Sequence, residues 1–384
     1  MNQLNSFIFN SDKTTPRRLG AALHVAAWVL ISLVAIDVSI NLLLAYPSDP
    51  KVTSPSRLRL YFEYGRSTEG QLARMTRADR SQTAPITLSG WYDPLKVEEF
   101  SSKSQNSIVT FYGMSHAVRL GYALGRTSDR YTPRIVGAPG APSNWSYGAY
   151  LRDRGGGKSR AAVLAFMSQT LPMITTLSAM TWSFDLPMPY TEDRFYLEHA
   201  VLQVIHPPYS SFEQYVEAFS HPEKWSAVRG VFATDDSMYN SFISRANILD
   251  HSSLIRLLRR AYAQRFLRNA RKAVLDGTGF QPNSEQIKVA RAIIHDFARL
   301  ARSDGVIPVI FLVNNFGYSD YLFQALSPVL REDHIPYLSS HTIAPPGDPR
   351  SYLPDSHFTD EVDDKFARAL VSIIEASQSG YAPD

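Results

Sequence analysis

The sequence predicts an α/β fold: a parallel sheet covered by helices on both faces, interrupted by a helical insertion and preceded by one membrane-spanning helix. Three observations carry the prediction. From Leu19 to Ile36 the only strongly polar side chain is His24, a run long enough for a helix to cross a hydrocarbon core. Downstream, short apolar runs rich in β-branched residues alternate with helical patterns, which is how parallel sheets are built. One gap in that alternation, from about Thr176 to Asn283, is too long for a plain loop and reads as an inserted subdomain.

In chain order, residues 1–18 form a polar tail. Lys13, Arg17 and Arg18 precede the apolar run of 19–46 and put the N-terminus in the cytoplasm by the positive-inside rule. The main domain would then be periplasmic, or otherwise extracytoplasmic, on a single-pass inner-membrane protein. A cleaved signal peptide is the rival reading, but the run exceeds the usual apolar region and Leu44-Ala45-Tyr46 is a poor cleavage site. Asp37 and Asn41 lie at the outer end of this helix. Asp37 either reaches the interface or pairs with a membrane partner, which the deeper His24 could also face.

Residues 47–104 read as a linker (PSDPKVTSPS) and an N-terminal extension with one charged helical pattern from Arg57 to about Arg80. The domain of 105–384 follows. Its strands are expected at Ile108–Tyr112, Arg134–Val136, Ala161–Met167, Val306–Val313 and Ile335–Leu338. Helices are expected from Val118 to Gly125 and from Ser143 to Arg152, then at Glu285–Ser303, Tyr321–Arg331 and Asp360–Ala376. The insertion is aromatic (Phe212, Tyr215, Phe219, Trp225) and ends in a helix, Leu254 to Val274, whose Arg256, Arg259, Arg260, Arg265, Arg268, Arg271 and Lys272 read either as a solvated face or as a surface for an anionic membrane or polymer.

Composition narrows the chemistry. A net charge of +3 over 384 residues gives no argument for nucleic acid as a partner. Absence of cysteine excludes disulfides, thiolate metal sites and a cysteine nucleophile. The histidines are scattered, so no metal site is expected and no cofactor is required.

The chemistry-bearing stretch is Asn106-Ser107-Ile108-Val109-Thr110-Phe111-Tyr112-Gly113-Met114-Ser115-His116-Ala117, where a buried-strand pattern ends at Gly-x-Ser and a helix begins. Such a turn lifts Ser115 to the carboxyl edge of the sheet, as a nucleophile or merely as a helix cap. Near the C-terminus, Asp355 and His357 stand two apart before the final helix. The carboxylate can fix the tautomer of the imidazole, and the imidazole can take a serine proton. Ser115 follows the first strand and the Asp-x-His follows the last, so a parallel sheet brings all three to one edge. Gly140, after the second strand, and Ser168 and Gln169, after the third, lie where an oxyanion hole would be built.

With these residues the chain resembles the SGNH/GDSL hydrolase superfamily. Gly113-Met114-Ser115 matches the first block Gly-Asp-Ser, with Met114 in place of the aspartate. Ala138-Pro139-Gly140-Ala141 matches the glycine turn of the second block, and Asp355-Ser356-His357 matches the last. The third block, Gly-x-Asn-Asp, is not recognisable: by position it falls at Ser168-Gln169, while Asn314 and Asn315 follow the fourth strand, one place late.

The resemblance implies a flavodoxin-like three-layer fold and acyl transfer through a serine ester. Ser115 would be the nucleophile, His357 the base and Asp355 its orienter, with Ser115, Gly140 and Gln169 in the oxyanion hole. It resembles in particular membrane-tethered members of bacterial exopolysaccharide clusters, which implies O-acetyl ester hydrolysis or O-acetyltransfer on a polysaccharide beside a multi-spanning membrane O-acyltransferase. The alternatives are a non-catalytic polysaccharide-binding or scaffolding partner of that acyltransferase and an anchored small-molecule esterase.

Overall fold

The protein was analysed as a computed structural model that describes residues 16–47, 53–78, 90–100, 107–138, 140–155 and 159–379. Residues 1–15 of the expected tail, Lys13 among them, lie outside the described residues, as does Pro139. Helix α1 (Pro16–Leu43) is the apolar N-terminal helix, and its Gly20–Leu43 segment is long and apolar enough to span a membrane. The single helical pattern expected from Arg57 to Arg80 is two helices, α2 (Arg57–Glu63) and α3 (Thr68–Ala78). The break falls at Gly65, where a Cβ would meet the Arg256 carbonyl oxygen at 2.2 Å, so the chain turns where the insertion presses against it.

The domain proper runs β1 (Val97–Glu99), β2 (Ser107–Gly113), α4 (Ser115–Thr127), β3 (Tyr131–Gly137), α5 (Ser143–Asp153) and β4 (Ser159–Met167). The insertion then carries α6 (Ala179–Trp182), the hairpin β5 (Arg194–Glu198) and β6 (Val201–Ile205), α7 (Phe212–Ser220), α8 (Pro222–Asp235), α9 (Ser241–Ser244), α10 (Ser253–Val274) and the short hairpin β7 (Leu275–Asp276) and β8 (Gly279–Phe280). The chain returns through α11 (Glu285–Ser303), β9 (Ile307–Val313), α12 (Tyr321–Glu332), β10 (Tyr337–Ser339) and α13 (Asp360–Ser379). The expected insertion is therefore not wholly helical.

The central sheet has the order β1-β3-β2-β4-β9-β10, all parallel except the edge strand β1, which pairs antiparallel with β3. Its strands are buried on both faces, which is why they read as continuous apolar runs. Alternate residues serve opposite layers. Val109, Phe111, Val163, Ala165, Phe311 and Val313 pack with α4 and α13; Tyr112, Leu164, Phe166, Ile310 and Leu312 pack with α5, α11 and α12. The chain steps from β2 to β3 on one side, then crosses to β4 on the other, so strand order reverses at β2. That reversal opens the sheet edge directly above Gly113.

The insertion has its own core. Tyr215, Trp225 and Phe232, with Trp91 and Tyr209, are buried together, and Phe212 and Phe219 pack against them, so the aromatic residues of the insertion are packing residues. The basic face of α10 also divides. Arg259 is fully buried on Asp250, Arg256 is buried against the Asp250 carbonyl and Arg260 pairs with Asp185, whereas Arg265, Arg268, Arg271 and Lys272 are exposed.

Candidate active site

The Gly-x-Ser turn is shaped by what cannot fit around it. Gly113 ends β2 opposite Gly137, which ends β3. A Cβ on Gly113 would sit 2.7 Å from the Ala117 and Ala165 methyls, and one on Gly137 would sit 2.4 Å from Val118 Cγ2. Both glycines let the first turn of α4 lie directly on the strand ends. Met114, at the N-cap, is extended (φ −77°, ψ −176°) and fully buried among Phe358, Val313 and their neighbours. Where the resembling family has a carboxylate, this chain has a core side chain. Ser115 is then the first residue of α4, half-buried, with its backbone N–H among those an α-helix leaves without an intrahelical acceptor.

Its partners come from a tight turn before α13. Tyr352 and Phe358 form an isolated antiparallel bridge, and between them the Leu353 N–H donates to the His357 carbonyl at 2.7 Å and the Ser356 N–H to the Leu353 carbonyl at 2.9 Å. Ser356 takes the left-handed conformation, φ +69°, a non-glycine strain of the kind that collects at functional sites. The turn wraps the Asp355 carboxylate around its neighbour. Asp355 Oδ1 accepts from the His357 backbone N–H at 3.2 Å, and Oδ2 lies 3.0 Å from His357 Nδ1. These two bonds hold the exposed carboxyl below the usual carboxylate range. On the other side of the ring, Nε2 lies 2.7 Å from Ser115 Oγ. The structure thus brings Ser115, His357 and Asp355 into one hydrogen-bonded series.

A second imidazole lies against the first. His116 is buried with its ring 4.9 Å from the His357 ring and 5.0 Å from that of Phe358. Burial, and then the neighbouring His357 and Arg119, push its pKa down to about 3, so it packs as a neutral ring. Arg119, one turn along α4, donates through Nε to Asp363 at 2.8 Å and through Nη2 to Asp360 and the Phe358 carbonyl at 2.8 and 2.9 Å. Neither His116 nor Arg119 was singled out in the sequence. The only signal for Arg119 is its i+4 spacing from Ser115.

The three expected oxyanion donors are not gathered in one cavity. Ser115 lines an open cavity of about 220 Å³ with Lys96, Glu98, Val118, Tyr122, Ile135 and Gly137. Gly140, with φ +66°, lines a smaller one of about 60 Å³, shared with Ala138, Trp145, Trp182, Tyr190 and Glu192. Gly137 and Ala138, which line one cavity each, are consecutive at the end of β3. Gln169 lines neither: its side chain is exposed, and its N–H donates to Asn315 Oδ1 at 3.1 Å. Ser168 is buried and donates back to the Val313 carbonyl. Asn314, also buried, donates to Ser339 Oγ, and the Tyr352 hydroxyl donates to the Asn314 carbonyl; Asn314 and Asn315 thus brace the loops beside the turn.

Glu192 is the unforeseen polar group of the smaller cavity. Oε1 accepts from Thr176 Oγ1 at 2.9 Å and from Trp182 Nε1 at 3.1 Å, and burial pushes its pKa up to about 8, making it a neutral acid at pH 7. Among the described residues no group of three His, Asp or Glu side chains is placed to hold a metal ion.

No protein-family model matches this chain, and no curated protein matches it significantly.

Proposed function

We propose that the protein is a serine-dependent acyl-transfer enzyme of the SGNH hydrolase type, anchored in the inner membrane with its N-terminus in the cytoplasm, and that it removes or transfers O-acetyl groups on an extracytoplasmic polysaccharide. The observation that carries the reading is the series Asp355 Oδ2–His357 Nδ1, 3.0 Å, and His357 Nε2–Ser115 Oγ, 2.7 Å. Strand order supports it too. The parallel strands lie in the spatial order second, first, third, fourth, fifth, the flavodoxin-like order, and Ser115 follows the first of them at the switch point.

In this mechanism Ser115 Oγ bonds to the acyl carbon as its proton passes to His357 Nε2. Asp355 holds Nδ1–H and stabilises the imidazolium. When the intermediate collapses, the bond to the leaving oxygen breaks and Nε2 returns the proton to it. Water, or a sugar hydroxyl, then reverses the sequence on the acyl-serine. The Ser115 N–H, left without an intrahelical acceptor at the start of α4, would donate to the developing oxyanion, and Gly140 is the second donor this reading calls on. Gln169, whose side chain is exposed and lines neither cavity, takes no part in this mechanism.

A second reading is a non-catalytic polysaccharide-binding partner of a membrane O-acyltransferase. Met114 in place of the family's aspartate and a Gln169 side chain that lines neither cavity favour it. One experiment separates the two. The full chain and Ser115→Ala are assayed for acetate release from an aryl acetate and an acetylated polymer, and for adduct formation with a fluorophosphonate. Activity and adduct lost in a folded Ser115→Ala protein support the enzyme. No adduct in the wild type, with polymer binding retained, supports the binding partner.

A further inference from the structure

The outer end of α1 does not lead into a free tether. Asp37 Oδ1 accepts from the Leu254 N–H at 2.8 Å and from Ser252 Oγ at 3.1 Å, and Asn41 Oδ1 accepts from Arg256 Nη2 at 3.3 Å. A carboxylate of the apolar helix thereby caps the N-terminus of α10, where helix-end donors and the helix dipole both favour an anion. The sequence left Asp37 either at the interface or paired with another membrane protein; its partner is the chain's own insertion. His24, deeper in α1, is satisfied within the helix by the Gly20 carbonyl at 2.8 Å.

The depth of this contact follows from helix geometry. Leu19–Ile36, at 1.5 Å per residue, covers about 27 Å, close to the thickness of a hydrocarbon core. With that stretch filling the hydrocarbon core, Asp37 and the start of α10 stand at the boundary between acyl chains and headgroups. Helix α1 continues from there to Leu43, about 9 Å further along its axis. The corner of the insertion reaches down beside α1 to that boundary.

That corner is apolar. Ile248, on the helical turn just before α10, is 81% exposed, and Leu249 beside it is exposed as well. On α10 itself Leu258 and Tyr262 are exposed in the same i, i+4 row as Leu254, whose N–H meets Asp37. Large side chains this exposed, clustered around the exit of an apolar helix, fit the headgroup–acyl boundary of a bilayer.

We propose that the corner formed by residues 248–262 is a membrane-docking surface, with Ile248, Leu249 and Leu258 embedded in the bilayer that α1 spans. The inference rests on α1 being a membrane anchor, and the test separates the two. Because the chain has no cysteine, Ile248→Cys, Leu30→Cys and Arg368→Cys each carry one thiol for a nitroxide label. The labelled full-length proteins are placed in phosphatidylcholine–phosphatidylglycerol nanodiscs and probed by collision with oxygen, which partitions into lipid, and with a water-soluble nickel chelate. The Ile248 label is expected to match the Leu30 label, with several-fold more collision with oxygen than with nickel, and the Arg368 label on α13 to show the reverse. A Leu30 label in lipid with an Ile248 label in water overturns the docking surface alone. A Leu30 label in water overturns the anchor and the docking surface together. An Ile248 label shielded from both reagents assigns the corner to a contact between copies of the chain and also overturns the proposal.

Discussion

The Nη2 of Arg119 lies 2.9 Å from the carbonyl oxygen of Phe358, the residue that follows His357. One guanidinium on the helix that begins with Ser115 thus holds the segment that carries His357. Its Nε is bonded to Asp363, whose carboxyl burial raises to about 6 against the lowering effect of Arg119 itself. Arg119→Ala should therefore leave Ser115, His357 and Asp355 in place but loosen their register. A loss of about 10–10² in kcat is expected, with KM little changed, since misplacement of about 1 Å costs that much. Arg119→Lys should restore the charge beside Asp363 without the fork and recover only part of the rate. Steady-state kinetics and the rate of fluorophosphonate labelling check both.

Ser115→Ala and His357→Ala should cost about the same, on the order of 10⁴–10⁶ in kcat, and the double variant no more than either alone, because groups that act as a unit are not additive. Asp355→Asn should cost less, about 10²–10⁴, since its carboxylate is 66% exposed and water can take over part of its role. Single-turnover hydrolysis of an aryl acetate measures all four. Equal losses for Asp355→Asn and Ser115→Ala would contradict the stated order.

His116 should make the wild type acid-sensitive. Its pKa is about 3 in the fold and about 6.5 in an unfolded chain. Its contribution to stability is intact above pH 6.5. As pH falls below that, the unfolded chain takes a proton that the folded one refuses, and stability is lost, by at most about 3 kcal/mol at pH 4. His116 Nδ1 has no partner among the described residues, so His116→Phe should fold as well as the wild type at pH 7. Its urea midpoint should fall less between pH 7 and pH 4.

Glu192 acts in the opposite sense. Its folded pKa, about 8, lies above the ordinary value of 4.5. The folded chain therefore binds the extra proton between those values, and stability falls as pH rises through that window. Glu192→Gln keeps an acceptor for Thr176 and Trp182 and removes the proton, so its melting temperature should be flatter between pH 5 and pH 9. Thermal melts in detergent at the two pH values decide it.

Gly137→Ala should test the close approach of α4. The new methyl would meet Val118 Cγ2 at 2.4 Å. Either Val118 rotates or α4 lifts, with about 1–3 kcal/mol of lost stability. If α4 lifts, Ser115 leaves His357 and kcat falls as well; Gly137→Ala with Val118→Ala should then recover both melting temperature and rate.

The sheet and the meeting of Ser115 with Asp355-His357 were legible because both rest on pattern: apolar runs, Gly-x-Ser and Asp-x-His at strand ends. What escaped has local physical causes. Pro133 sits inside β3, paired with Val109, so the strand expected at Arg134–Val136 in fact starts at Tyr131. The hairpin β5–β6 turns at His199 and Ala200, φ +49° and +66°, where such turns usually announce themselves with asparagine or glycine. Edge strand β1 has three residues and no apolar run. Gln169 stood at the right strand end, but its side-chain amide is exposed and lines neither cavity, a direction that no spacing reveals.

Ser115 and His357 are separated by 242 residues, yet their side chains touch. His357 arrives just ahead of α13, the last described element of the chain, which packs on α4. During synthesis Ser115 therefore emerges long before His357. Until residue 357 has been made, the Ser115 hydroxyl lacks the partner it touches in the fold.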